Sequence, residues 1–390
     1  MPTSVNKQFA VLGGPNRAKA FSVVAVAAVL VATLWPFNPF RRNGVSWLQW
    51  SNGLRFEKAG LVVSNEPLKL PETSGLESYT LELLLRPASI KSSQTILAFY
   101  SPIRARQLLV RQWTDGLLVT HDASVEHDMT GAVKFDVEHV FHPATLVFVA
   151  VSSGRNGTTV YIDGQRIQSF PRFEIARSDL FGEMVLGTSP LTYQPWSGEM
   201  KGLAIYAKEL TPQEASQHYR SWTDLNGHPP ANLETAIARY SFTEASGTEI
   251  HNDAASRPNL RIPATFSVLH KPFLESPVQE FRTSRHYAHE MATNIAGFVP
   301  LGLVVCSYLG WTRTRWKAIL ITISLCGMLS FTIEVLQYYI PRRGSGITDI
   351  ITNTFGATLG AVLVQSSLVR KLLQRTDLIP AVQNAAQQGD

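Results

Sequence analysis

Ionisable and amide side chains recur inside apolar stretches near the carboxyl end of the chain. They are Asn294, Glu334, Gln337, Arg343, Asp349 and Asn353. A charge close to hydrocarbon is costly, so such groups are expected to pair with one another or to serve a function. Together they could bind a polar headgroup, or a carboxylate could act as general acid or base. Glu334 and Asp349 are therefore candidate catalysts, and Arg343 is a candidate clamp for an anion.

The spacing of these residues predicts how helices bring them together. Glu334 and Gln337 are three positions apart, which places them on one face of a helix. Asp349 and Asn353 begin a stripe of a second helix that continues with small residues. Small residues let helices approach closely, so packing is a simpler role for them than chemistry. The residues assigned to helix packing are Pro300, Gly302, Gly356 and Gly360.

The polar residues support two hypotheses. In the first, Arg343 pairs with Glu334 or Asp349 and the amides hydrogen-bond between helices, where each such bond contributes about 0.6 kcal/mol. In the second, they form a polar membrane pocket for a headgroup or a glycan carrier at the outer leaflet. Side chains expected just outside that pocket, at His286, His289 and Glu290, are interpreted as solvated.

Four apolar segments are long enough to span a bilayer. They cover Ala20–Phe37, Met291–Gly310, Ala318–Ile340 and Ile347–Leu368. Basic clusters before the first segment, between the second and third, and after the fourth fall on one side, which the positive-inside rule makes cytoplasmic. Both termini, residues 1–19 and 369–390, are then cytoplasmic. The first segment lacks a small-residue cleavage site, which favours an uncleaved span over a signal peptide.

The region between the first and second spans alternates polar and apolar residues and is rich in turns. Residues 45–222 are predicted to form an all-β jelly-roll sandwich, and residues 223–285 to complete that sandwich or link it to the membrane. The Asp163–Gly164 pair predicts a hairpin turn. The fold class is therefore mixed, with a four-span α-helical membrane unit and an all-β jelly roll. Both cysteines lie in apolar segments, which excludes a disulfide in the β region.

The strings VYIDGQRI, VLGTS and WSGEMKGLAIYAKELTPQEASQHY resemble the laminin-G-like or concanavalin A-like jelly roll. The resemblance implies binding of a glycan or a protein, and some relatives hydrolyse glycans. Hydrolysis needs a carboxylate pair, and Glu126–Asp128 lacks the second glutamate of the related glucanase motif, which favours binding. Candidate glycan contacts are Trp113, Tyr193 and Trp196. Calcium at Asp115 and Asp122 is the one cofactor considered, and no other metal is predicted.

The polar membrane residues strongly resemble the VanZ-like family. The matching positions are Asn294, Phe298, Pro300, Gly302, Glu334, Gln337, Arg343, Asp349, Asn353, Gly356 and Gly360. The founding members are associated with resistance to teicoplanin, and the family's biochemical mechanism is not established. The resemblance implies a bacterial cytoplasmic (inner) membrane protein with a large external insertion between its first two spans.

The predicted function is to present a jelly roll that binds envelope glycan or protein, and to act on or protect a cell-envelope component. One alternative is a membrane-embedded enzyme that modifies a lipid-linked glycan. Another is a non-catalytic adhesion protein for which the membrane part is an anchor. Membrane lipids are expected partners and the oligomeric state is left open. The net charge of +5 does not indicate nucleic acid, because the basic residues flank the apolar segments.

Overall fold

The structure is a computed structural model that describes residues 14–70, 77–91, 93–102, 108–121, 133–224, 236–254, 258–280 and 285–379. It separates into two compact units. The β domain is Phe40–Lys271, and the helical unit combines Met1–Pro39 with Pro272–Asp390. The β domain is thus an insertion within a discontinuous helical unit.

The described part of the β domain forms two antiparallel sheets. Its strands are β1 (Val45–Trp47), β2 (Leu54–Phe56), β3 (Val62–Ser64), β4 (Tyr79–Pro87), β5 (Ser93–Tyr100), β6 (Leu109–Trp113), β7 (Gly116–Thr120), β8 (Lys134–Val137), β9 (Val147–Gly154), β10 (Gly157–Ile162), β11 (Gln165–Phe170), β12 (Glu183–Leu186), β13 (Gly198–Tyr206), β14 (Ala236–Tyr240), β15 (Glu249–Ile250) and β16 (Leu260–Arg261). The first sheet has the order β1-β2-β13-β4-β9-β10-β11, with β14 also paired to β13. The second has the order β15-β16-β3-β12-β5-β6-β7-β8.

Alternation along the strands builds the core between these sheets. In β2, Leu54 and Phe56 are buried while Arg55 is exposed, as expected when one face of a strand packs inward. Strands β4 and β9 are buried along nearly their whole length, because helix α2 (Pro212–Thr223) covers their outer face. Ala215 of this helix packs against Leu84 of β4 and Phe148 of β9.

Local sequence signals explain two of these elements. The turn between β10 and β11 places Asp163 and Gly164 at φ of 50° and 75°, which is the left-handed pair that an Asp-Gly turn supplies. Helix α2 starts with a capping box, in which Thr211 and Glu214 satisfy each other's backbone N–H groups. The mixed fold class is confirmed.

The helical unit contains α1 (Gly14–Leu34), α3 (Pro277–Glu280), α4 (Arg285–Leu309), α5 (Arg315–Tyr338), α6 (Ile347–Leu363) and α7 (Ser367–Arg375). Three of them, α1, α4 and α5, are long and apolar enough to cross a membrane. Helices α6 and α7 give a fourth span only if the bent pair is taken as one. Helix α1 ends before Trp35 because a residue that precedes proline disfavours helical geometry.

The predicted fourth span, Ile347–Leu368, is not one straight helix. Helix α6 stops at Leu363, and α7 continues at 78° to it. The Ser366 hydroxyl accepts the Val369 N–H and starts the new helix. Leu373 packs on the helical unit while Lys371 and Arg375 are exposed, so α7 is amphipathic. The apolar residues after Leu363 made the predicted span longer than α6, because amino-acid composition does not show where a helix changes direction.

Backbone contact at glycines joins α4 to α6. A methyl group on Gly302 would overlap the Ala357 carbonyl, and one on Gly356 would overlap the Ile295 carbonyl. Gly360 meets the Val299 carbonyl in the same way. Pro300 lies inside α4, where it removes one backbone hydrogen bond. The absence of side chains at these positions therefore lets the backbones of α4 and α6 contact each other.

Candidate functional site

Asn294 and Asp349 form the polar pair that links α4 to α6. The Asn294 Nδ2 donates to Asp349 Oδ1 at 2.7 Å. Asp349 lies in the first turn of α6, where the positive end of the helix dipole favours a carboxylate. Both side chains are only partly buried. They are therefore positioned by the helices and remain accessible to another molecule.

Glu334 has a different environment. It is 1% exposed, and its Oε2 accepts the N–H of Gly346 at 2.9 Å. Gly346 is the residue that caps α6, so the carboxylate holds the start of that helix against the end of α5. The Ser345 hydroxyl donates to the Glu334 backbone carbonyl at 3.1 Å and closes the same loop. Glu334 thus fixes the loop between α5 and α6 through both its carboxylate and its backbone carbonyl.

Gln337 and Arg343 contact the end of α1. The Gln337 Nε2 donates to the Thr33 carbonyl at 3.0 Å, and the Arg343 Nη2 donates to the Trp35 carbonyl at 3.3 Å. The partner observed for Arg343 is a backbone carbonyl rather than the Glu334 or Asp349 carboxylate expected from the sequence. Because the first span lies far from these residues in sequence, spacing alone did not reveal this partner.

Asn353 links α6 to α5 at a deeper level. Its Nδ2 donates to the Ser330 hydroxyl at 3.0 Å, and both side chains are buried. Within the described part of the chain, Asn353 Oδ1 has no hydrogen-bond partner. Ser330 was not among the predicted site residues, although its position one helical turn before Glu334 places it on the same face of α5.

The residues predicted to flank the membrane site are only partly described. His289 and Glu290 are exposed on the first turns of α4, as expected for solvated side chains. The side chain of His286 lies outside the described structure. The accessible ionisable group among the site residues within the helices is therefore Asp349, with Asn294 beside it.

The three aromatic residues predicted to contact glycan have different environments. Trp113 ends β6 and is 50% exposed. Tyr193 is partly buried against Phe266, and its hydroxyl donates to the Lys58 carbonyl at 2.9 Å. Trp196 is fully buried in the core, where its Nε1 donates to Gln112 Oε1 at 2.9 Å. The prediction for Trp196 is therefore wrong, because its ring is inaccessible, and Trp113 is the accessible aromatic of the three.

The candidate calcium ligands are described only at Asp115. Its Oδ2 lies 2.6 Å from His139 Nδ1, and that hydrogen bond lowers the pKa of the Asp115 carboxyl. Asp122 and the Glu126–Asp128 stretch lie outside the described residues. Within the described ranges, no cluster of three or more His, Cys, Asp or Glu side chains could hold a metal ion.

Comparisons with known proteins find a family model that matches part of each unit. Residues 236–370 match the VanZ/LLP1 family, and residues 63–216 match the concanavalin A-like lectin/glucanases superfamily. The VanZ/LLP1 match begins inside the β domain, at β14, and excludes α1. No curated protein matches the chain significantly.

Several solved structures match part of this chain. A SAP-like pentraxin from Limulus polyphemus is 12% identical and covers 58% of this chain and 95% of its own, with a TM-score of 0.33. A putative carbohydrate binding protein from Bacteroides ovatus is 15% identical and covers 57% and 62%, with a TM-score of 0.38. The CBM40 of a Ruminococcus gnavus sialidase is 14% identical and covers 44% and 95%, with a TM-score of 0.31.

The apolar helices and the family match define a membrane protein whose helical unit is interrupted by a β sandwich. The chain combines a VanZ-like region with a concanavalin A-like domain. Both resemblances predicted from the sequence are confirmed.

Proposed function

We propose that this chain binds an envelope glycan through its β domain and acts on or protects an envelope component at the Asn294–Asp349 pair. The observation that carries the proposal is the partial exposure of this hydrogen-bonded pair, while Glu334 and Asn353 are buried in contacts that join helices. Ionisable residues within membrane segments are costly and commonly functional, so an accessible pair of this kind is a candidate ligand site.

The pair would recognise a headgroup by hydrogen bonding. An Asp349 carboxylate accepts hydroxyl or amine protons, and Asn294 holds one of its oxygens through Nδ2. A headgroup or glycan carrier at the outer leaflet would approach this pair where its side chains are partly exposed. The same geometry would serve the enzymatic alternative, in which Asp349 takes a proton from the bound group.

The glycan-binding part of the proposal rests on the concanavalin A-like match and on the exposed Trp113 indole. An indole face can stack on the apolar face of a sugar ring. We place the β domain outside a bacterial cytoplasmic membrane and both termini inside, from the distribution of basic residues. Reporter fusions after residue 379 and within the β domain test that topology, and an externally active reporter at the carboxyl end would contradict it.

The membrane site is tested in a deletion strain of the source bacterium, measured by susceptibility to teicoplanin-type and other envelope-directed agents. We expect wild type to restore resistance and Asp349→Asn to fail at an equal membrane level, because the uncharged amide is a weaker acceptor. Glu290→Gln is the matched control, since Glu290 is an exposed carboxyl on α4, and it should restore resistance fully.

Replacement of Phe40–Lys271 by a short linker separates the two parts of the proposal. Retained resistance would make the β domain an accessory to the membrane site. If Asp349→Asn restores resistance while the shortened chain does not, the helical unit is only an anchor and the proposed membrane site is wrong.

A further inference from the structure

Charged side chains form a row across three strands of the first sheet. Arg55 on β2 and Arg86 on β4 both lie opposite Glu199 on β13 in the strand register. The neighbouring residues Leu54 and Met200 are buried in the core, so the charged side chains project from the opposite, outer face. Cross-strand neighbours at this spacing contact one another directly.

A single carboxylate in this row serves two guanidinium groups. Glu199 Oε1 lies 3.0 Å from Arg55 Nη2, and Oε2 lies 2.9 Å from Arg86 Nη1. The Glu199 side chain is 16% exposed, whereas those of Arg55 and Arg86 are 57% and 37% exposed. Both carboxylate oxygens of Glu199 are therefore paired with arginines, while N–H donors of Arg55 and Arg86 remain exposed to solvent.

Lys201 adds a third cation beside the row. It follows Glu199 by two positions on β13, and its Nζ donates to the Ser51 hydroxyl at 2.9 Å. Burial, followed by the positive charge of Arg86, lowers the pKa of Lys201, although Glu199 opposes that effect. Arg55, Arg86 and Lys201 thus place three cations beside one carboxylate, which leaves an excess of positive charge on this face.

An exposed aromatic ring lies on the adjoining loop. Trp50 is 94% exposed and directly precedes Ser51, the residue that Lys201 contacts. Exposure of a whole indole costs hydrophobic free energy, so a ligand that covers it would recover that energy. Cations beside an exposed indole are suited to a ligand that carries both negative charge and a sugar ring.

We infer that Arg55, Arg86, Lys201 and Trp50 form a binding site for an anionic glycan, a sugar polymer that carries carboxylate or phosphate groups. This deepens the glycan-binding part of the proposed function and rests on it. The guanidinium groups bind the anionic groups through paired N–H donors, and Trp50 stacks on a neighbouring sugar. Glu199 orients the arginines and at the same time limits the affinity, because it repels the ligand.

Binding is measured with the full chain in nanodiscs of zwitterionic lipid. The probes are polygalacturonate as a carboxylate glycan, dextran as a neutral glycan and inorganic polyphosphate as an anion without sugar. We expect polygalacturonate to bind more tightly than dextran, with an affinity that falls as salt rises. Arg55→Gln and Lys201→Gln should each weaken that binding about two- to fivefold.

Glu199→Gln is the decisive variant, because binding and structural roles predict opposite signs. Removal of the opposing carboxylate should strengthen polygalacturonate binding about two- to fivefold. If the row only stabilises the sheet, the variant leaves binding unchanged or weakens it. Thermal unfolding of the variant verifies that it is folded, and Arg55→Gln tests the site independently at a more exposed position.

Trp50→Ala distinguishes a glycan from a simple anion. It should weaken polygalacturonate binding roughly two- to tenfold and leave polyphosphate binding unchanged. Arg166→Gln is the matched control, since Arg166 is an exposed cation on β11, four strands from β13 in the sheet order and so roughly 20 Å away. Equal effects of Arg166→Gln and Arg55→Gln would overturn the site in favour of nonspecific charge.

The outcomes separate this inference from the proposed function. If dextran binds as well as polygalacturonate and the substitutions have no effect, this site is wrong and glycan binding elsewhere on the β domain still stands. If neither glycan binds, the glycan-binding part of the proposed function is wrong as well, while the test of Asp349 remains independent.

Discussion

In the β domain, the Glu82 carboxylate is fully buried against side chains, 2.6 Å from His218 Nδ1 and 2.8 Å from Trp222 Nε1. In the helical unit, Glu334 is equally buried but accepts a backbone N–H from Gly346. The first contact fixes α2 on a sheet that already has a large apolar core. The Glu334–Gly346 contact helps to hold helices together within a membrane. There the hydrophobic effect does not drive helices to associate, because lipid is as apolar as their side chains.

The comparison indicates that the two units obtain stability from different sources. The β domain buries large aromatic and aliphatic side chains between its sheets, whereas α4 and α6 meet through glycines. Substitutions that remove side-chain volume should therefore destabilise the β domain most. Substitutions that add side-chain volume should destabilise the helical unit most. Matched pairs of substitutions test both statements.

The largest effect is expected at Trp196 in the β domain. Trp196→Ala empties a fully buried site and leaves Gln112 without its indole donor, so it should lower the free energy of unfolding by about 3–5 kcal/mol. Trp113→Ala is the control, because Trp113 is half exposed. Urea unfolding followed by far-ultraviolet circular dichroism measures both. Equal losses for the two variants would contradict the assignment of Trp196 to the core.

An intermediate effect is expected where α4 meets α6. Gly360→Ala forces a methyl group against the Val299 carbonyl and should cost about 1–3 kcal/mol. Gly297→Ala, in the same unit, meets no atom within 4 Å and should be neutral or slightly stabilising. Thermal inactivation in detergent compares the two. Equal stability of the Gly360→Ala and Gly297→Ala variants would contradict the close approach of α4 and α6 at Gly360.

The smallest effect is expected at the start of α2 and depends on pH. Burial opposes ionisation of Glu214, but hydrogen bonds from Lys208 and Thr211 lower its pKa from 4.5 to about 2. Because the folded pKa is depressed, this stabilisation is fully present above pH 4.5 and is lost as pH falls towards 2. Glu214→Gln should lower stability by about 0.5–1 kcal/mol at neutral pH.

The pH dependence is obtained from urea midpoints between pH 2 and pH 7. The difference between wild type and Glu214→Gln should shrink as the medium becomes acidic. A difference that stays constant over this range would show that the Glu214 charge does not stabilise the cap.

Local signals in the sequence were sufficient for much of the fold. The Asp163–Gly164 turn and the β-branched residues beside it predict the hairpin of β10 and β11, because both act within a few residues. Long apolar segments predict the helices for the same reason. The bend after Leu363 was missed, although Gln365 and Ser366 interrupt the apolar run and Ser366 caps α7.

The candidate site was predictable in part. The stripe from Asp349 to Gly360 follows from helical periodicity alone, and the glycines of that stripe contact α4. The partner of Arg343 and the burial of Trp196 depend on segments distant in sequence, whose positions no local pattern specifies. The row of Arg55, Glu199 and Arg86 required the strand register, since its members come from three separate strands.

The discontinuity of the helical unit has a consequence for biosynthesis. Leu34 ends α1 and Arg285 begins α4, so the ribosome must add roughly 250 residues before the first helix meets its later partners. At about 5–20 residues per second this takes roughly 10–50 s. During that interval α1 lacks α4, whose Val304 carbonyl accepts from the Ser22 hydroxyl, and α5, whose Gln337 donates to the Thr33 carbonyl. The order of synthesis therefore requires α1 to be stable in lipid by itself, which its apolar composition permits.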